Sequence, residues 1–250
     1  MTIILLCIAG FFAAFVDSIA GGGGTISLPA FLLAGIPPHM ALGTNKFAST
    51  AASLTSSIKY ARSDKVNWNL MKFLIPMTAL GATIGVQTVL KMNQEFLKTM
   101  VLVLILLVGF YSLFSKSLGK ENRFQGNGIN NILAGMILAV SLGFYDGFFG
   151  PGTGSFLIFG LIIIFGFDFL RAGGNARILN FISNIVSLVI FIGYGKVDYQ
   201  LGVPVAIAMI AGAWLGTRLA LKNGVKLVKP IFVMMSLGVA VKLLWDLVGC

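Results

Sequence analysis

Residues 199–217 read YQLGVPVAIAMIAGAWLGT, nineteen positions without an Asp, Glu, Lys or Arg. A hydrocarbon core about 30 Å thick is crossed by about 20 apolar residues in an α-helix, so this stretch is a transmembrane helix. Residues 73–90, 99–115, 124–145, 147–167 and 178–195 are equally free of charge. Their apolar residues run continuously and do not alternate, which argues against the strands of a β-barrel. Across all 250 residues 57% are hydrophobic and 10% charged, against about 25% charged in a soluble domain. Water-soluble, fibrous and disordered classes are thereby excluded. The fold class is an all-α integral membrane protein, and its first partner is the lipid bilayer.

The same stretch belongs to an internal repeat. Shifting the chain by 131 residues lays Gly81-Ala82-Thr83-Ile84-Gly85 on Gly212-Ala213-Trp214-Leu215-Gly216 and Lys65-Val66 on Lys196-Val197. Without a gap, positions 65–98 and 196–229 share nine identities in 34, three of them lysines. Near the start of each half Gly22-Gly23-Gly24-Thr25-Ile26-Ser27 resembles Gly150-Pro151-Gly152-Thr153-Gly154-Ser155, and an aspartate precedes each run, Asp17 and Asp146. Duplication of this kind is common in transporters. The expected organisation is a first repeat over 1–115, a polar cytoplasmic linker over 116–128 and a second repeat over 129–250.

Each half reads as a Gly-interrupted pair of apolar segments, a broken helix or a re-entrant hairpin, followed by three full helices. These are expected at 42–61, 69–91 and 97–115, then at 172–194, 199–221 and 227–247. Thr2–Val16 lacks the basic start of a signal peptide and is read as part of the bundle. Charge bias decides the parity. If each hairpin enters and leaves on one side, the repeats are inverted and twelve basic residues (59, 62, 65, 72, 116, 120, 123, 171, 218, 222, 226, 229) face four (91, 98, 196, 242). If the hairpin counts as one crossing, the division is nine to seven. The positive-inside rule favours inversion, with both termini outside the cytoplasm.

Lys46 and Arg177 stand apart from that tally, near the start of otherwise uncharged helices and matched in the repeat. A charge at mid-bilayer costs roughly 2.5–3.5 kcal/mol on insertion scales, so such residues either snorkel to the headgroups or face a cavity or a partner. A polar stripe follows each: Lys46, Ser49, Ser53 and Ser56, then Arg177, Asn180, Asn184 and Ser187. A polar helix face inside a membrane belongs against protein or water. These residues, with Asn45, are expected to line a pathway.

The Gly clusters complete the picture. Gly23, Gly24 and Thr25, then Gly152, Thr153, Gly154 and Ser155, restart a helix inside the membrane, with Thr25/Ser27 and Thr153/Ser155 as expected N-caps. A helix start presents unpaired N–H groups and binds anions. Nearly the whole inventory donates hydrogen bonds, so the expected guest is a small oxyanion. Asp17 and Asp146 are read as pairing or capping groups first and as carriers of a coupled proton second. His39, after Pro37-Pro38, is read as an exposed loop residue. Cys7 and Cys250 have neither CxxC nor metal-ligand spacing, and no metal or cofactor is expected. The net charge of +10 marks cytoplasmic loops and not a nucleic-acid partner. No residue pattern sets an oligomeric state.

The run Asp17-Ser18-Ile19-Ala20-Gly21-Gly22-Gly23-Gly24-Thr25-Ile26-Ser27-Leu28-Pro29, followed by Ala41-Leu42-Gly43-Thr44-Asn45-Lys46, resembles the TauE/SafE sulfite-exporter family of bacterial permeases. Gly143-Phe144-Tyr145-Asp146-Gly147-Phe148-Phe149-Gly150-Pro151-Gly152-Thr153-Gly154 and Arg177-Ile178-Leu179-Asn180-Phe181-Ile182-Ser183-Asn184 are similar to its second motif. The resemblance covers essentially the whole chain. It implies movement of sulfur-containing anions, such as sulfite, sulfoacetate or other organosulfonates, across the bacterial inner membrane, commonly as export. By motif position it points to Asn45, Lys46, Arg177, Asn180 and the two Gly-rich starts. The expectation is a secondary transporter that alternates access; the alternatives are an anion channel and, less favoured without a metal cluster or a Ser/His/Asp set, a membrane-embedded enzyme.

Overall fold

The structure, a computed structural model, describes residues 2–97, 100, 124, 126 and 128–223. They form α1 (Thr2–Ala20), α2 (Gly24–Leu33), α3 (Pro38–Arg62), α4 (Trp68–Leu90), α5 (Ile129–Phe148), α6 (Thr153–Phe165), α7 (Phe169–Gly193) and α8 (Tyr199–Asn223). No strand occurs among the described residues. The helices expected at 97–115 and 227–247 and most of the expected linker lie outside them.

Five of these helices, α1, α4, α5, α7 and α8, are long and apolar enough to cross a membrane. The 25-residue α3 is as long as α7 but carries Lys46, Asn45 and a row of Ser and Thr, so composition alone passes it over. It stands at the centre of the bundle, where those groups are covered by α7 and α8. Starts follow local chemistry: the Asn67 side chain caps α4 by accepting from the Leu70 N–H, and Asp168 caps α7 by accepting from Leu170 and Arg171. Both are the capping residue types that favour a helix start.

The start of α3 defines one end of the bundle, here the top. There His39 Nε2 lies 2.9 Å from the Val89 carbonyl at the end of α4, and the Asp198 N–H donates to Thr44 Oγ1. At the bottom Tyr60 donates to the Ser18 carbonyl and the Asn67 N–H donates to Asn175 Oδ1. A top core gathers Leu6, Leu28, Phe31, Leu42, Val89, Phe191 and Val205, and a bottom core gathers Ile19, Tyr60, Leu74, Leu161, Phe165 and Ala176. The helices α1, α3 and α8 therefore run downward, and α4, α5 and α7 run upward.

The two Gly-interrupted segments are hairpins. Phe165, at the end of α6, packs on Gly135 in the second turn of α5, and Gly160 packs on Leu138. Gly23 likewise sits against Ala13 and Asp17 of α1, and α2 ends in the top core where α1 begins. At 1.5 Å per residue the ten-residue α2 and the 13-residue α6 extend only about 15 and 20 Å, less than the hydrocarbon thickness. The reversal uses positive φ at Gly21 (77°) and Gly22 (109°) in the first turn and at Gly150 (97°) and Gly152 (83°) in the second, where a side chain would be strained.

The helices of the two halves exchange partners. α1 packs most closely on α8, and α5 on α4. The matched glycines explain it: a Cβ at Gly81 or Gly85 would strike the backbone of Val140 or Phe144 in α5, and one at Gly212 or Gly216 the backbone of Phe11 or Phe15 in α1. Small residues four apart let membrane helices approach backbone to backbone, where dispersion drives the association. Between them α3 and α7 lie side by side, with Gly43 on Lys196 and Phe191, Lys46 on Asn184, Ser57 on Arg177 and Tyr60 near Gly173. Residue numbers fall on one helix as they rise on the other, so α3 and α7 are antiparallel.

Candidate functional site

Where α3 and α7 cross the two hairpin turns, side chains converge on a small, partly open cavity of about 30 Å³. Asp17, Gly23, Gly24, Asn45, Lys46, Ser49, Asp146, Gly154, Asn180 and Asn184 line it, all of them anticipated from sequence; Ala14, Ala52, Gly150 and Met209 complete the wall.

The two turns touch. Gly21 lies against Gly154 and Ser155, Gly24 lies against Pro151, and Ser155 Oγ donates to the carbonyls of Ala20 and Gly21 at 3.0 and 2.9 Å. The starts of α2 and α6 are thereby joined beside the cavity, each leaving first-turn N–H groups that no intrahelical carbonyl can accept. The expected hydroxyl caps are corrected: the N-cap residues are Gly23 and Gly152, without a side-chain cap bond. Thr25, Ser27 and Thr153 instead donate to the carbonyls of Gly22, Gly23 and Gly150. The N–H groups of Thr25, Ile26 and Thr153 donate to the same turn carbonyls, those of Gly22, Gly23 and Gly150, so in these first turns the N–H groups of Gly24, Gly154 and Ser155 are the ones without an acceptor among the described residues.

Both intramembrane cations are buried and paired across the halves, which removes the snorkelling alternative. Arg177 is 1% exposed, and its Nη1 donates to Asp17 Oδ2 at 2.5 Å. Lys46 is 2% exposed, and its Nζ lies 3.0 Å from Asp146 Oδ2 and donates to Asn184 Oδ1 at 3.1 Å. Asp17 does a second job: its Oδ1 accepts the N–H groups of Gly22 and Gly23 at 3.0 and 3.1 Å. Asp146 has no such bonds to its own turn, and its Oδ2, within ion-pair reach of Lys46, lies outside hydrogen-bond geometry and has no hydrogen-bond partner among the described residues. Arg177 Nη2 is likewise a buried donor without a partner, beside Gly154, where a Cβ would come within 2.7 Å of it.

The polar stripes divide. Ser49, Asn180 and Asn184 reach the cavity, with Asn184 Nδ2 donating to Asn180 Oδ1. Ser53 and Ser56 bond back to their own helix, at Ser49 and Ala52, and Ser187 is buried away from the lining. Thr25, Gly152, Thr153 and Ser155 shape the turns without facing the cavity. His39 is a second correction: it is the second residue of α3, 6% exposed and bonded to the Val89 carbonyl, because the helix starts at Pro38 rather than 42. Tyr145, not singled out by sequence, braces the second turn by donating to the Pro151 carbonyl at 2.7 Å. Its place beside Asp146 in the second motif is the signal that marks it. Among the described residues no three His, Cys, Asp or Glu side chains meet as a metal centre does.

Residues 6–243 match the family model described as sulfite exporter TauE/SafE. A probable membrane transporter protein of Haemophilus influenzae is 38% identical over 97% of this chain and 94% of its own length. The probable membrane transporter protein YfcA of Escherichia coli K12 is 36% identical over 94% of this chain and 86% of its own. The probable membrane transporter protein YdhB of Bacillus subtilis is 23% identical over 87% and 89%. No solved structure matches the chain significantly. A match that runs through both hairpins and every described helix settles the kinship: the chain belongs to the TauE/SafE sulfite exporter family.

Proposed function

We propose that this membrane transporter moves small sulfur-containing anions, sulfite, sulfoacetate or related organosulfonates, by alternating access around the cavity between α3, α7 and the two hairpin turns. The observation that carries the proposal is the buried, unpartnered Arg177 Nη2 beside the start of α6. A guanidinium N–H and a helix start are both oxyanion donors, and Gly154, beside Arg177 Nη2, lines the cavity with Lys46, Asn45, Ser49, Asn180 and Asn184.

Antiparallel packing of the corresponding helices α3 and α7, with the exchange of α1 and α5 between halves, supports inverted repeats, since parallel repeats would align equivalent helices in one direction. Among the described residues Lys59, Arg62, Lys65, Lys72, Arg171, Arg218 and Lys222 lie at the bottom and Lys91 and Lys196 at the top. By the positive-inside rule the bottom faces the cytoplasm of a bacterial inner membrane and the chain starts on the outer side. The family description, a sulfite exporter, supports outward movement.

The test is uptake and counterflow of labelled sulfite, sulfoacetate, methanesulfonate, taurine and chloride in proteoliposomes. The expected result is saturable, mutually competitive flux of the sulfur oxyanions, falling at least tenfold in Arg177→Ala. Flux that never saturates makes the protein a channel, and no flux of any sulfur anion refutes the substrate class.

A further inference from the structure

We infer that the cavity is also a proton site, and that Asp146 carries one proton with each anion. This rests on the anion-transport reading above and adds the coupling ion. The charges that line the cavity are Lys46 from α3, Asp146 from α5 and Asp17 from α1, and Arg177 of α7 stands behind Asp17 as its ion-pair partner; α2, α6 and α8 contribute none among the described residues. Both nearby tyrosines spend their hydroxyl protons on carbonyls, Tyr60 on Ser18 and Tyr145 on Pro151. His39 is held at the top by Val89. Two cations and two carboxylates sum to zero, so the empty site is already neutral.

A bare anion entering that space leaves an uncompensated negative charge in a desolvated interior, which is strongly unfavourable. A proton on one carboxylate restores balance and releases a cation toward the anion. The geometry selects which carboxylate. Asp17 accepts from Gly22, Gly23 and Arg177, and a proton on either oxygen would displace one of those donors. Asp146 Oδ2 faces Lys46 Nζ at 3.0 Å, outside hydrogen-bond geometry, and accepts from no backbone N–H among the described residues, so a proton there displaces one cation and no part of the turn. It frees Lys46, which keeps its bond to Asn184.

Counting from each aspartate gives the cause. Position +5 is Gly22 in the first half and Pro151 in the second, and proline has no N–H to offer the carboxylate. The second turn thus lacks the first of the two N–H donors that hold Asp17, and the second, at position +6, is Gly152, which makes no bond to Asp146. One aspartate is a structural pin and its counterpart is a carrier. A singly charged anion then crosses with its proton without net charge, and a doubly charged one carries one negative charge.

Methanesulfonate, which keeps a single charge throughout the neutral range, is the probe. Wild-type proteoliposomes with the interior one pH unit more alkaline and no membrane potential are expected to accumulate it about tenfold, the factor that one bound proton per anion imposes. Asp146→Asn is expected to bring the final ratio to one, a readout independent of turnover rate, and Asp64→Asn, at an exposed carboxylate outside the cavity, to leave it near ten. Under the same conditions wild-type protein passes current with doubly charged sulfoacetate and none with methanesulfonate. Saturable methanesulfonate flux that settles at a ratio of one in wild-type protein overturns the inference and leaves the transport reading intact. A tenfold ratio in Asp146→Asn, or its collapse in Asp64→Asn, overturns the assignment to Asp146. Should Asp146→Asn fail to fold, the wild-type ratio and the two wild-type currents still decide the coupling. Absence of flux for every sulfur anion removes both readings together.

Discussion

Replacing Lys46 by Met, Asp146 by Asn, and both together measures what the buried pair contributes. The charges lie 3.0 Å apart, with both side chains 3% exposed. At an effective dielectric of about 20 that separation is worth about 5 kcal/mol of attraction, and removing one partner of a buried pair costs about 3–5 kcal/mol because the other charge is left uncompensated. Lys46→Met strands Asp146, which has no other counter-charge within salt-bridge distance among the described residues. Asp146→Asn strands Lys46 with only the Asn184 carbonyl oxygen. For a chain of this size 1 kcal/mol moves the unfolding midpoint by about 2–4 °C, so each single variant loses about 6 to 20 °C. The double variant places two neutral side chains of similar size in the same space and recovers to within about 1–2 kcal/mol of wild type, since neutral replacement of a buried pair is often close to neutral. The assay is thermal unfolding of purified protein in anion-free detergent, followed by tryptophan fluorescence, and the quantity reported is the coupling term of the cycle. Additive losses in the double variant, or singles within 1 °C of wild type, would refute a strongly coupled interior pair.

Two further substitutions test the packing. Gly212→Ala sets a methyl against the Phe11 carbonyl and is expected to cost about 1–3 kcal/mol, whereas at Gly193 nothing lies within 4 Å of a Cβ and alanine should stabilise its helix by about 0.5–1 kcal/mol; opposite shifts of unfolding temperature are the check. Asn175→Ala removes the acceptor 2.9 Å from the Asn67 N–H at the start of α4, a loss of about 1–3 kcal/mol for the stranded donor, read as faster hydrogen exchange at Asn67.

Much of this was legible because membranes simplify the code. The helices expected at 69–91 and 199–221 agree with α4 and α8 to within two residues, and the lysines and glycines of the repeat sit where helices begin or cross. The matched cations Lys46 and Arg177, with Asn180 and Asn184, pointed to the cavity because each would be costly facing lipid. Hydroxyl roles were less legible. Ser and Thr bond equally well to a carbonyl of their own helix or to a guest, and the stripe that seemed to continue through Ser53 and Ser56 turns back onto α3 after Ser49. His39 was misread because Pro37-Pro38 signals a turn, whereas Pro38 is a first-turn helix residue, the place in a helix that tolerates proline best.

The pairing pattern constrains how such a site opens. Arg177 and Asp17 come from opposite halves, and so do Lys46 and Asp146; each half supplies one cation and one carboxylate to the other. Movement of the halves as rigid bodies must lengthen both pairs at once, at a cost of several kcal/mol for each buried charge left alone. On the proposed coupling, an anion bound by Arg177 and Lys46 while Asp146 holds a proton would replace the partners that both cations lose and release the loaded site from the restraint on the empty one. On that reading the charges proposed to bind the substrate also keep an unloaded cavity from exchanging faces, which is the condition for transport without leak.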